Sequence, residues 1–164
     1  MTNNLPTIAI DTREQTPLVF VNLPTEKATL QTGDYSVRGL ESDFAVERKS
    51  IADIVQSVTH ERERFERELV RMRGYAFRRL LIVGTVEQIE RHEYQSRAEP
   101  KAVIASVTAF EVRYDMPVTW CSSPSAAAVQ LERWACYFLR ERLKTAQDIL
   151  ARYDGTIQKA VNHE

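Results

Sequence analysis

The sequence predicts an α/β domain with a central mixed β-sheet flanked by helices. Short aliphatic runs at residues 7–10, 44–49, 79–83 and 117–121 read as strands. Helically spaced apolar residues follow the last three, and strands that alternate with helices favour parallel pairing. An early antiparallel hairpin, over residues 30–37 and 44–49, makes the sheet mixed. At 164 residues the chain is long enough for one domain with its own core.

The first run, residues 7–10, delivers Asp11 to the C-terminal edge of its strand, and a polar loop and Pro24 follow. Residues 38–43, containing Gly39, form the hairpin turn. Ser50-Ile51-Ala52-Asp53 has the form of a capping box and opens a helix with Ile51, Ile54, Val55 and Val58 at helical spacing. Residues 60–73 continue as a polar helix with a narrow stripe of Phe65, Leu69 and Met72. Thr85 caps a brief helix, and Pro100 begins another that carries Val103, Val107 and Phe110. Ser123-Pro124 is an N-cap and N1 pair that opens a long helix to about Lys144, with Val129, Leu131, Trp134, Phe138 and Leu139. Residues 1–144 are therefore the expected domain, and 145–164 a helical or flexible tail.

Bulk properties restrict the function. The formal net charge is −1, so no global basic field steers the chain to a polyanion. The basic character is local: residues 47–79 hold nine Arg/Lys against six Asp/Glu. Cys121 and Cys136 have no partners at zinc spacing and make no disulfide framework. His60, His92 and His163 fit no ligand pattern and read as surface residues. Residues 1–6 lack an apolar signal core and no run approaches a membrane span, so a cytoplasmic, intracellular protein is expected.

The chemistry concentrates in Gly33-Asp34-Tyr35 and, thirteen residues after Asp34, Glu47-Arg48-Lys49. In a strand, Glu47 and Lys49 share one face, while Phe44, Val46 and Arg48 share the other. The hairpin brings Asp34 near Glu47, which gives two carboxylates and an ammonium around one point. Tyr35 falls on the face away from them and reads as core.

The order Asp11-Thr12-Arg13-Glu14, Gly33-Asp34-Tyr35 and Val46-Glu47-Arg48-Lys49-Ser50 with Asp53 resembles the nuclease domain of XPF-type structure-specific endonucleases. That family lies within the PD-(D/E)xK class, whose core is restriction-endonuclease-like. The resemblance runs over roughly residues 7–144, more loosely through Arg64, residues 80–83 and Trp120-Cys121-Ser122-Ser123. It implies Asp34 and Glu47 as direct ligands of Mg2+ or Mn2+, Asp11 as a further ligand, and Glu14 as a weaker one. The Arg48 carbonyl completes the set. Lys49 would orient or deprotonate a water or stabilise developing charge. Arg48 and Arg13 would hold phosphate or pin carboxylates, and Asp53 would anchor Arg48 or Lys49. Arg64 would line the cleft, with Arg67 and Arg71 as weaker contacts to the DNA backbone.

The implied function is divalent-metal-dependent DNA endonuclease activity, selective for flap, fork or junction DNA. Weaker structure preference, or action on Holliday junctions, is the nearest variant. The alternatives of another class are an inactive DNA-binding scaffold and a regulatory module without nucleic acid. The chain differs from larger relatives in two places. Few residues follow Lys144, which leaves no room in this sequence for tandem helix-hairpin-helix modules, and Gly84 stands where relatives often carry an acid. The apolar helix after Pro124 also suggests a homodimer.

Overall fold

The structure, a computed structural model, describes residues 5–161, with side chains through Tyr153; Met1–Asn4 and His163 lie outside the described residues. Six strands form one sheet: β1 (Ile8–Asp11), β2 (Thr25–Ala28), β3 (Tyr35–Val37), β4 (Phe44–Ser50), β5 (Phe77–Val83) and β6 (Val118–Cys121). Their spatial order is β2-β1-β3-β4-β5-β6. β3 is antiparallel to both β1 and β4, and the other three pairings are parallel. The sheet is mixed, as the sequence predicts.

Period-two alternation assigns each strand residue to one of two cores. Ala45, Leu80 and Ile82 pack beneath α1 (Ile51–Val58), α2 (Arg62–Met72), α3 (Val86–Glu90) and α4 (Pro100–Tyr114). Phe44, Val46 and Leu81 point the other way and meet Ala127, Ala128, Leu131 and Ala135 of α5 (Pro124–Val161). Small residues on α5 let that helix lie close to the sheet. Phe44 stacks on Phe77 there, with ring centroids 4.4 Å apart.

The expected caps are present. Ser50 and Asp53 close a capping box on α1, Thr85 and Gln88 close one on α3, and Ser123 Oγ accepts from Ala126 N–H at the start of α5. The expected apolar residues of α1, α2 and α4 are all buried.

Three features differ from the expectation. Strand β3 begins at Tyr35, so residues 30–34 are not strand. The reason is local: Leu30 N–H is taken by the Asp11 carboxylate, and Gly33 turns at φ +77 against the backbone of Val46. Strand β2 was not expected, because Thr-Glu-Lys-Ala is a polar, half-exposed edge without an apolar signal. It pairs parallel to β1 although no helix connects them. Glu132 of α5 holds the connecting loop instead: its buried carboxylate accepts from the backbone N–H of Val21, Asn22 and Leu23 at 2.9–3.1 Å, and from Asn22 Nδ2. Lastly, the helix expected to end near Lys144 continues to Val161, the helical of the two forms expected for the tail. No proline or glycine interrupts residues 145–154.

Gly84 ends β5 at φ +149, and a Cβ there would lie 2.4 Å from Cγ1 and Cδ1 of Ile51. An acid at this position is excluded by packing as well as by backbone conformation. Among the described residues, no helix is long and apolar enough to cross a membrane.

Candidate active site

Four segments converge on one polar cleft of about 200 Å³. The end of β1 brings Asp11 and Arg13, and the turn before β3 brings Gln31, Thr32 and Asp34. The end of β4 brings Glu47 and Lys49, and α2 closes the cleft with Arg64, Glu68 and Arg71. The spacing of the last three, i, i+4 and i+7, puts them on one helix face. The turn is fixed by the sheet: Asp11 N–H donates to the Asp34 carbonyl, and Asp34 N–H donates to the Val46 carbonyl at 2.8 Å.

Glu47 is buried at 7% exposure, and its Oε1 receives Lys49 Nζ at 2.8 Å. Lys49 Nζ also lies 5.1 Å from the centre of the Phe65 ring, so α2 holds the ammonium from the other side. Burial pulls the Lys49 pKa down, but Glu47 outweighs it and the net shift is upward. Lys49 is therefore a cation at neutral pH. Glu47 is shifted up by burial, against the pull of Lys49.

Asp34 accepts the backbone N–H of Arg48 at 2.8 Å. Burial, then the neighbouring Glu47, push its pKa up to about 8. The Lys49 ammonium pairs with Glu47, and the half-buried Asp34, with no ion pair among the described residues, holds its proton to higher pH. Asp34 and Glu47 thus offer the oxygen donors that a hard divalent cation prefers.

Asp11 is occupied differently. Its Oδ1 accepts from Arg13 N–H at 2.9 Å and from Arg13 Nε at 2.6 Å, and its Oδ2 from Leu30 N–H at 2.8 Å and Arg13 Nη2 at 3.2 Å. Burial raises its pKa, but these bonds win and the net shift is downward. Asp11 lines the cleft as a carboxylate whose lone pairs are already used. Among the described residues, no group of three or more His, Cys, Asp or Glu side chains gathers at metal-binding distance.

The remaining sequence candidates divide. Arg64 lines the cleft and leans on Glu61 and Glu68, at 3.5 and 3.7 Å. The Arg48 side chain points across the sheet to Glu14, Nε to Oε2 and Nη2 to Oε1 both at 3.0 Å, so only its backbone reaches Asp34. Glu14 is absorbed in that pair and in bonds from Thr16 N–H and the Tyr35 hydroxyl. Asp53 accepts from Ser50 N–H and Oγ and caps α1; it bonds neither Arg48 nor Lys49. Sequence reasoning missed Glu68, Gln31 and Thr32. Glu68 had a signal, its position four residues after Arg64 on the same helix face. Gln31 and Thr32 had none beyond standing next to Gly33-Asp34.

The sequence matches the ERCC4 domain over residues 10–133, a span that contains every residue of the cleft. The chain belongs to the ERCC4 domain family. That family is one of DNA nucleases. Among solved structures, this ERCC4 domain is similar to XPF from Aeropyrum pernix, at TM-score 0.67 and 21% identity over 87% of this chain and 69% of that one. It is similar as well to XPF from Aeropyrum pernix in complex with DNA, at TM-score 0.67 and 20% identity over 93% of this chain and 84% of that one. At these identities the likeness shows the fold. Among curated proteins, none matches the chain in sequence.

Proposed function

We propose that this ERCC4 domain is a divalent-metal-dependent DNA endonuclease, selective for flap, fork or junction DNA. The observation that carries the reading is Asp34 set beside Glu47, whose buried carboxylate holds the Lys49 ammonium at 2.8 Å. A solved relative is a complex with DNA, and the cleft carries the cations that phosphate needs.

Asp34 and Glu47 would hold Mg2+ or Mn2+, with the Arg48 carbonyl as a further oxygen. When bound, such an ion lowers the pKa of a water and screens charge on the scissile phosphate. Lys49, fixed between Glu47 and Phe65, keeps its proton and aims a donor at the attacking water or at a phosphate oxygen. Arg64 and Arg71 face the same cleft and suit the flanking phosphates. Asp11 holds Arg13 at the rim and orders the turn that carries Asp34. Among the described residues both cysteines are free, in keeping with action in a reducing interior.

Labelled flap, fork, junction and linear duplex DNA, incubated with magnesium, manganese or EDTA, tests the reading. Cleavage that needs the metal and ranks branched DNA above linear duplex is expected. Metal-independent cleavage, or DNA binding with no cleavage under any condition, would sink it, and the second result would leave a DNA-binding scaffold. A homodimer through α5 belongs to the same proposal, because Tyr137, Leu143 and Leu150 stand exposed on that helix. Sedimentation at tens of micromolar is expected to give about twice the monomer mass, and a monomer there ends the idea.

A further inference from the structure

Three grooves join end to end across α1 and α2. The catalytic cleft reaches Arg64, and a second hollow, at the start of α2, shares Arg64 with it. A third, of about 590 Å³, lies between α1 and the loop at residues 94–98 and shares Thr59 and His60 with the second. We propose that this track carries a single-stranded arm of the DNA substrate away from the cleft, with Gln56, His60 and Arg97 touching it in the third groove. The inference rests on the nuclease reading above and adds the path and the residues that line it.

The charges along the track favour a polyanion. Arg67, Arg71 and Arg97 are exposed and, among the described residues, form no ion pair. The second and third grooves together are lined by Arg62, Arg64, Arg67 and Arg97 against Glu61 and Glu63. The surplus is positive although the chain as a whole carries −1.

The shape of the third groove favours unpaired bases over duplex. Ala52, Val55, Tyr94 and Ala98 give it an apolar wall, with polar and cationic side chains at the rim. Bases in a duplex are already stacked on each other, so only a single strand has faces to lay on such a wall while its phosphates meet the rim. The loop is also ordered in advance. The Tyr94 hydroxyl donates to the Ala98 carbonyl at 2.7 Å, and the His92 ring stacks on Tyr94 at 4.3 Å between centroids. His92 itself sits at φ +57, a conformation that costs a side-chain-bearing residue energy and is held here by the surrounding bonds. A groove set in this way loses little entropy on binding.

The decisive experiment measures binding of a fluorescent oligo-dT of about twelve nucleotides to the full chain in EDTA, by anisotropy across a salt series. The variants are Arg97→Glu, His60→Glu and their double. Arg152→Glu, the same charge reversal on the exposed end of α5, is the control. The double variant is expected to bind about tenfold more weakly or worse, with a plot of log affinity against log salt shallower by about 0.7 for each phosphate no longer neutralised. Arg152→Glu is expected to leave both unchanged. A melting curve identical to wild type removes misfolding as the cause.

Wild type that does not bind oligo-dT, or a double variant with unchanged affinity and salt slope, overturns the proposal. Fork cleavage separates it from the nuclease reading. A wild type that binds oligo-dT through these residues yet cuts nothing keeps the track and removes the nuclease. A double variant that cuts long-armed forks as well as wild type removes the track and keeps the nuclease.

Discussion

Asp34→Asn is expected to lower DNA cleavage by at least about 10³-fold while making the metal-free protein more stable. The first effect follows from losing one of two anionic oxygen donors: about 4 kcal/mol of transition-state stabilisation corresponds to that factor. The second follows from the same carboxylate without a cation. Burial and the adjacent Glu47 hold the Asp34 pKa at about 8, whereas an unfolded Asp titrates near ~3.9. The folded chain therefore binds more protons than the unfolded one between those values, and wild-type stability falls as pH rises through that window. The asparagine escapes the penalty and keeps an oxygen to accept the Arg48 N–H. A gain of about 1–3 kcal/mol near pH 8, shrinking towards pH 5, is expected in urea melts with EDTA. With saturating magnesium the order reverses, since only wild type gains binding free energy. Glu47→Gln provides the contrast. It should be as inactive but less stable, because Lys49, only 18% exposed at its side chain, loses the partner at 2.8 Å. An Asp34→Asn protein that is destabilised in EDTA at pH 8 would refute the account of a charge held in wait for a cation.

Much of the fold was legible because the relevant signals are local. The alternation Phe44-Ala45-Val46-Glu47-Arg48-Lys49 assigns faces without any tertiary information, and the caps at Ser50, Thr85 and Ser123 are each set within three residues of chain. Strand β2 was not legible, since its place depends on Glu132 holding a loop more than a hundred residues earlier in the chain. No periodicity encodes that pairing. The candidate site divides along the same line. Glu47 and Lys49 were readable from strand parity, and Asp34 from a hairpin. The partners of Asp11 and Glu14 depend on where loops pass, so the sequence marked both as acids near the site without showing that arginines already hold them. Asp53 was ambiguous for a different reason: a carboxylate three residues after Ser50 is favourable as a cap whatever lies beside it.

Arg48→Met is expected to destabilise the protein by about 3 kcal/mol or more, and Arg48→Met combined with Glu14→Met to restore most of that stability. The pair is bidentate, with side-chain exposures of 13% and 6%, and it joins β4 to the loop after β1. Glu14 keeps only the Thr16 N–H and the Tyr35 hydroxyl at 3.4 Å once the guanidinium is gone. A buried carboxylate left so poorly satisfied costs more than the ion pair contributed, whereas removing both charges leaves two methionines that fill similar volume. A double-mutant cycle in urea should give a coupling of about 2 kcal/mol or more. Activity then separates structure from chemistry. Asp34 is held by the backbone N–H of Arg48, which every substitution except proline preserves. The double variant should therefore cleave DNA within about tenfold of wild type at a temperature where both are folded, a drop below 1.4 kcal/mol. If it is folded, as stable as wild type and yet inactive, the Arg48 side chain leaves Glu14 during the reaction and reaches the substrate itself.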